Sequence, residues 1–319
     1  MRPLDKRVLV VGGTGFIGSH LVDRLLASGA TVGVMARSTG VLESLPQRPG
    51  YELIDCDIRD AAATTLGIRN FAPQIVVHLC AHPDWAESHV QAERAIETNV
   101  MGTLNVLEGF HQAKGEFFLY GDSVKVFGNC EVPYRADTHP QPTSSYAMSK
   151  LAGWHLCELY ARINGVHAAS IRPTLVYGPR QRFNVISFVV NRVLDGQPAI
   201  ELSGGHQTRD PLYIDDAIDA FMLAIRRGPA IAGRSIVIGG GSELTVQALG
   251  ETIVRLMGGS QRVVTVAGTT RPTEIWRSFS DNAEALEMLG WQPSHDLATG
   301  LRRTIAWIGE RQRAPMAAT

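Results

Sequence analysis

Two periods alternate along the first half of the chain. Short apolar runs, RVLVVGG from Arg7, TVGVMAR from Thr31, YELIDCD from Tyr51, QIVVHLCA from Gln74, EFFLYGD from Glu116 and HAASIRP from His167, are separated by stretches with helical spacing. Runs that stay apolar along their length predict strands buried on both faces, and hence an α/β fold with a doubly wound parallel sheet. In the first helical stretch Phe16, Ile17, Leu21, Val22, Leu25 and Leu26 share one face, and Gly29 stands where a helix ends in the left-handed conformation. Farther on, PLYIDDAIDAFMLAI predicts one more helix and SIVIGGG one more strand, returning to the same sheet. Residues 176–209 and 242–310, broken by Pro and Gly, pattern more weakly and are expected to form a smaller lobe over the sheet's carboxyl edge. The expected division is therefore a sheet domain of residues 1–175 with a return segment at about 210–241, that smaller lobe, and a fraying tail at 311–319.

Composition narrows the classes. Of 319 residues 45% are apolar and 19% charged, and the formal net charge is −1, which gives no broad attraction to nucleic acid or anionic lipid. No apolar run approaches the roughly 18–20 residues of a spanning helix, and MRPLDKRVLVVGG lacks a small-residue cleavage site, so a cytoplasmic protein is expected. Cys56, Cys80, Cys130 and Cys157 have neither zinc-like spacing nor the density of a disulfide framework, so reduced thiols are expected. Of the 30 basic residues only four are lysines, Lys6, Lys114, Lys125 and Lys150, which singles out a lysine wherever it stands beside other chemistry.

The turn GGTGFIG follows the first strand directly and spaces Gly12, Gly15 and Gly18 three apart. Residues without side chains let such a turn tighten, bring backbone N–H groups to a pyrophosphate and let helix and strand pack closely, which predicts a dinucleotide site at the helix N-terminus. At the end of the second strand, where a carboxylate would take the adenosine ribose hydroxyls, the chain has Ala36 and then Arg37. A guanidinium there suits a 2′-phosphate, so NADP(H) is favoured, with NAD(H) as the other possibility. Asp57, in the turn after the third strand, is placed to accept from the adenine amine, or simply forms the turn.

Tyr146 and Lys150 lie four apart in SSYAMSK, on one face of an amphipathic helix. An ammonium one turn away favours phenolate and draws a tyrosine from its ordinary pKa of ~10 towards neutrality, making it a usable proton donor and acceptor.

With GGTGFIGSHL, VVHLCA, NVMGTLNVLEG, LYGDSVKVFG, YAMSK, IRPTLVYGPRQ, QTRDPLYIDDAIDA and SDNAEALEMLGWQP in this order, the chain resembles the extended short-chain dehydrogenase/reductase family of nucleotide-sugar epimerases, dehydratases and reductases over nearly its whole length. The resemblance implies a Rossmann-type fold and assigns Tyr146 as general acid/base, Lys150 as ribose anchor and tyrosine tuner, Ser123 as donor to the reacting oxygen, and Asn99 as a supporting residue. For the cofactor it adds Phe16, Ile17, Ile58, Leu79, Ala81, Pro173 and Val176. It also implies a homodimer formed by helices around residues 90–113 and 143–163.

For substrate the resemblance points to Arg209 and Arg271 as clamps on a nucleotide sugar's diphosphate, which bidentate guanidinium binding makes sensible. After Arg271, however, Thr273 and Glu274 replace the family's glycine and aspartate. Asn184 and Phe183 are candidate contacts to sugar or base. After Ser123 stand Val124 and Lys125, where family dehydratases and decarboxylases carry an acidic residue, so 4,6-dehydration is not expected, and Ser123, Val124 and Lys125 are candidate substrate contacts. In HPDW, after the fourth strand, His82 suits a second acid/base and Trp85 a stacking platform, or both anchor the loop. His78 and His82 lack a third ligand, so no metal is expected. The expected activity is NADPH-dependent reduction of a nucleotide-activated keto-sugar such as a dTDP-4-keto-6-deoxyhexose. A nucleotide-sugar 4-epimerase is the alternative, and an NADP(H)-binding sensor without turnover the reading from another class.

Overall fold

The computed structural model describes residues 3–37, 50–83, 87–266 and 271–313. Its centre is a seven-stranded parallel sheet in the order β11-β6-β5-β4-β1-β2-β3. The strands are β1 (Arg7–Val11), β2 (Thr31–Ala36), β3 (Tyr51–Asp55), β4 (Ile75–His78), β5 (Phe117–Gly121), β6 (Ala168–Pro173) and β11 (Ser235–Ile238). All seven coincide with the apolar runs predicted from sequence, and strand order reverses beside β1, so the crevice at the carboxyl ends of β1 and β4 is where such sheets bind ligands.

Residues of one strand alternate between two cores, one on each side of the sheet. Val8, Val10, Val32, Val34, Leu119 and Ile171 face α1 (Phe16–Ala27) and α7 (Ile214–Arg227), whereas Leu9, Val11, Met35, Val76, Phe118 and Tyr120 face the second side. There lie α2 (Ala61–Phe71), α4 (Gly102–Gln112) and α5 (Ser145–Asn164). Val8 to Val11 are each 0% exposed, which explains why the runs read as unbroken apolar segments.

Between β4 and β5 the chain forms α3 (His89–Ala95), a single π-helical turn (Ile96–Met101) and then α4. The helix α5 begins at Ser144, whose Oγ accepts from the Ala147 N–H at 3.1 Å, and ends at Gly165, which takes the left-handed conformation at φ 69°. This N-cap fixes Tyr146 in the first turn and Lys150 one turn on.

The remaining elements are short pairs and helices. β7 (Leu175–Tyr177) runs parallel to β10 (Pro211–Tyr213), β9 (Thr208–Arg209) antiparallel to β12 (Leu244–Thr245), and β8 (Ala199–Ser203) parallel to β13 (Arg262–Val266). Around them pack α6 (Val185–Leu194), α8 (Val246–Leu256), α9 (Ala283–Leu289) and α10 (Leu297–Arg313). One local expectation fails: Pro211–Tyr213, read as the start of a helix, is a strand. Its backbone is taken by β7, and the acidic first turn of α7, Asp215 and Asp216, begins only after it. Residues 311–313 close α10, and 314–319 lie outside the described residues.

Candidate active site

The glycine turn is built for close approach. Gly12 has φ +85° and donates to Met35 O at 2.8 Å, and a Cβ there would meet the Cys80 backbone nitrogen at 2.6 Å. A Cβ on Gly18 would lie 2.2 Å from Gly12 O. Gly15 caps α1 in extended conformation without a side-chain hydrogen bond, and no acidic residue stands in the first turn. The first N–H groups of α1, opened by half-buried Phe16 and Ile17, therefore present positive potential to an anion, which fits the pyrophosphate of a dinucleotide.

Around this turn, Leu79 donates to Val11 O at 2.8 Å and continues the sheet into Cys80 and Ala81. Burial pushes the Cys80 thiol up to about 11 and keeps it neutral. Arg37 is exposed after β2. Asp57 differs from a free acceptor. Arg59 grips both carboxylate oxygens, through Nε at 3.1 Å and Nη2 at 2.7 Å, and this, with the Arg37 charge farther off, holds the carboxyl below its ordinary range. Ile58 is buried with its carbonyl accepting from Asn105 Nδ2 at 2.8 Å, and Pro173 and Val176 are buried at the ends of β6 and β7.

Lys150 is 2% exposed, and its Nζ stands 4.2 Å from the centroid of the Tyr120 ring. Burial lowers its pKa to about 8, and the nearby Asp122 carboxylate opposes that shift. Tyr146 is half-buried and close enough to bear on the ionisation of Tyr120. Ser123 accepts the Lys125 N–H at 3.3 Å and opens a 3-10 turn, Val124–Phe127, that carries Lys125 Nζ to 5.9 Å from the Tyr146 ring centroid. The turn thus brings Lys125, anchored on Ser123, beside Tyr146 of α5. Asn99, 1% exposed, spends its amide inside the protein. Its Oδ1 accepts the His82 N–H at 2.6 Å, and its Nδ2 donates to His82 O at 3.2 Å and Ser149 Oγ at 2.8 Å. It therefore ties the loop after β4 to α5 between Tyr146 and Lys150.

His82 is held by Asn99 on its backbone and by Gln91 Oε1, 2.6 Å from Nε2, on its ring. Trp85 lies outside the described residues. His78 is buried with Nε2 2.9 Å from Thr103 Oγ1, and burial together with the Lys150 charge pushes it down to about 3, so it is a neutral core residue. Among the described residues no group of three His, Cys, Asp or Glu side chains could hold a metal.

In the smaller lobe Arg209 pairs with Glu274 and donates to Thr208 O at 2.7 Å and Ile275 O at 2.8 Å. The Glu274 that departed from the family pattern thus orients the arginine expected to take phosphate. Arg271 is exposed, three residues before Glu274. Asn184 caps α6, its Oδ1 accepting the Ser187 N–H at 2.9 Å, and lines a shallow groove with Arg182, Phe183 and Phe188. The segment at Glu274 meets the chain just after the Val124–Phe127 turn, since Asn129 donates to Glu274 O at 3.0 Å and accepts from the Trp276 N–H at 2.8 Å.

Two groups escaped the sequence reading. Asp122 and Arg172 form an ion pair at 2.6 Å with side chains 0% and 4% exposed, and the other Asp122 oxygen accepts the Ser123 N–H at 2.9 Å. Asp210, beside the noticed Arg209, is fully buried and accepts from Ser242 and Ser280 backbone N–H groups, and burial pushes it up to about 6. A charged residue inside an apolar run, as in LYGDS and SIRP, was the available signal for the first pair.

Known proteins resemble this chain over nearly its whole length. A UDP-glucose 4-epimerase of Mycolicibacterium smegmatis is 32% identical, over 96% of this chain and 100% of its own length. A UDP-glucose 4-epimerase of Thermotoga maritima, solved with UDP-glucose, superimposes with a TM-score of 0.87 at 29% identity, over 96% and 99% of the two chains. A UDP-glucuronic acid 4-epimerase of Bacillus cereus, solved with UDP-glucuronic acid and NAD, also gives 0.87, at 27% identity and the same coverage. These relatives favour the epimerase alternative over the ketoreductase that the sequence reading put first, and NAD over NADP. The family profile described as the NAD dependent epimerase/dehydratase family matches residues 8–239, and with the seven-stranded sheet, the glycine turn and the tyrosine–lysine helix this chain belongs to that family, the extended short-chain dehydrogenases/reductases.

Proposed function

We propose that the chain is a nucleotide-sugar 4-epimerase that retains NAD. The observation that carries this is the placing of Tyr146 and Lys150 one turn apart on α5, with the Ser123 turn brought beside Tyr146 by Lys125, in a chain that aligns over 96% of its length with 4-epimerases. On this reading residues 1–175 and about 210–241 hold the dinucleotide, and 176–209 with 242–310 hold the nucleotide sugar. The glycine turn and the start of α1 take the pyrophosphate, with Leu79, Ala81, Pro173 and Val176 around the nicotinamide half.

Bound NAD supplies a reversible hydride acceptor at the sugar's C4. Tyr146 removes the proton from O4 and returns it after the sugar has turned its other face, Ser123 holds that oxygen by a hydrogen bond, and Lys150 keeps the phenol acidic. Asn99 positions rather than reacts, because its amide is spent on His82 and Ser149. Arg209, aimed by Glu274, and Arg271 neutralise the diphosphate.

The second reading, an NADPH-dependent ketoreductase, keeps one observation in its favour: Arg37 follows β2 where no carboxylate stands. One experiment separates the two. Purified protein is given UDP-glucose with NAD, and in parallel a dTDP-4-keto-6-deoxyhexose with NADPH. Formation of UDP-galactose without net NADH supports the epimerase. Stoichiometric NADPH oxidation with no interconversion establishes the ketoreductase instead.

The same reading includes a homodimer. Val100, Ala152, Leu156 and Leu159 line a groove on the outer face of the π-helical turn and α5, where Ile96, Met101, Met148 and Ile163 are exposed. An apolar face of this kind supports a helix-to-helix interface. Sedimentation at twice the monomer mass is the expected result.

A further inference from the structure

A second ammonium stands beside the acid/base tyrosine. Lys125 Nζ lies 5.9 Å from the Tyr146 ring centroid, and its backbone N–H is anchored on Ser123 Oγ at 3.3 Å. Val124, Val126 and Phe127 of the same turn are buried, so Lys125 is the member of the turn that reaches towards the cleft. The turn is braced on its far side, where Tyr134 donates to Gly128 O at 2.8 Å and Asn129 joins Glu274 and Trp276. Its carboxylate neighbour Asp122 is turned into the core and given to Arg172. The backbone of Lys125 is thus anchored on Ser123 and its ammonium lies beside Tyr146, the two groups that on this reading define where O4 reacts.

On a hexopyranose the carbon beside C4 is C5, which carries C6, so a group at C6 lies within reach of a residue flanking the O4 site. An ammonium gains little from a neutral hydroxymethyl group, whereas a carboxylate gives it a charge-assisted hydrogen bond. We propose that Lys125 is a specificity residue for a C6 carboxylate, and that the preferred substrate is a nucleoside-diphosphate hexuronate rather than a neutral hexose. The proposal rests on the 4-epimerase reading and narrows it. Lys125 acting only as a second tuner of Tyr146 makes a different prediction, because tuning alters both sugars alike.

The test compares kcat/KM for UDP-glucuronate and UDP-glucose in the NAD-loaded full chain and in its Lys125→Met and Lys125→Arg variants, with calorimetric affinities for both nucleotides. The expected result is a preference for UDP-glucuronate of about tenfold or more that falls about tenfold in Lys125→Met and is largely kept in Lys125→Arg, in rate and affinity alike. A wild-type preference for UDP-glucose, or equal losses on the two sugars in Lys125→Met, overturns it. Turnover of neither sugar sinks the 4-epimerase reading by itself. The calorimetric ratio then still decides Lys125: a Lys125-dependent preference for UDP-glucuronate upholds the specificity role, and equal affinities overturn it.

Discussion

On the sheet side of the cleft Lys150, Asn99, Asp122 and Arg172 are at most 5% exposed: Asp122 pairs with Arg172 and accepts the Ser123 N–H, Asn99 holds His82 and Ser149, and the Lys150 ammonium lies over the Tyr120 ring. Facing them, the smaller lobe offers Arg271 in solvent, Phe183 at 74% and Trp276 at 51% exposure, with Arg209 held by an ion pair and two carbonyls. The sheet side is organised before a substrate arrives. The lobe leaves more of its candidate contacts exposed. Proton transfer needs atoms held to fractions of an ångström, whereas grip on a diphosphate tolerates adjustment, so the two sides answer different demands.

The contrast breaks most visibly at Tyr146. Tyr146→Phe is expected to lower kcat about 10²- to 10⁴-fold while nucleotide-sugar affinity stays, measured by turnover and calorimetry on the same preparation. Loss of affinity in place of rate would move Tyr146 out of the chemistry.

Behind it, Asp122→Asn removes one partner of a fully buried ion pair. A stability loss of about 3–5 kcal/mol is expected from chemical denaturation, because Arg172 keeps an uncompensated charge. A change below about 1 kcal/mol, the usual worth of an exposed pair, would show that the sheet side is less organised than its geometry implies.

Lys150 sharpens the comparison through pH. Its folded pKa, about 8, lies below the ordinary 10.5, so between these values the native state holds fewer protons than the unfolded chain. The cost of burying the ammonium is therefore greatest below pH about 8 and fades as pH rises towards 10.5. Activity moves the opposite way, since neutral Lys150 no longer favours phenolate, and kcat is expected to fall as pH passes about 8. Lys150→Met should lose about 10²-fold in kcat together with that alkaline limb.

The smallest effect is expected on the lobe side. Arg209→Ala should raise KM for the nucleotide sugar about tenfold with kcat nearly kept, which is the signature of lost ground-state binding. A matching loss in kcat would mean that the lobe, too, is part of the proton-transfer geometry.

Much of this was legible beforehand for a local reason. Central strands such as β1 and β4 announce themselves because burial on both faces demands unbroken apolar runs, the glycine turn because a Cβ at Gly12 or Gly18 would strike backbone atoms, and the Tyr146–Lys150 pair because i and i+4 share a helix face. The π-helical turn that carries Asn99 and packs on α5 has no such signature in the sequence. Nor did Pro211–Tyr213 betray its strand, whose pairing partner β7 lies some thirty-five residues away. In the same way the sequence leaves Asp57 as either an adenine acceptor or a turn former and Arg209 as a phosphate clamp, and only the fold puts Arg59 on the first and Glu274 on the second.

The sequence by itself determined the parallel sheet, the glycine turn and the placing of Tyr146 and Lys150 on one helix face, because each rests on steric and periodic rules acting over a few residues. Only the tertiary structure decided which charges are spent and which remain for substrate. Asp122 with Arg172, Arg209 with Glu274 and Asn99 with His82 and Ser149 join residues 17 to 65 positions apart, and such pairings depend on where the chain returns in space.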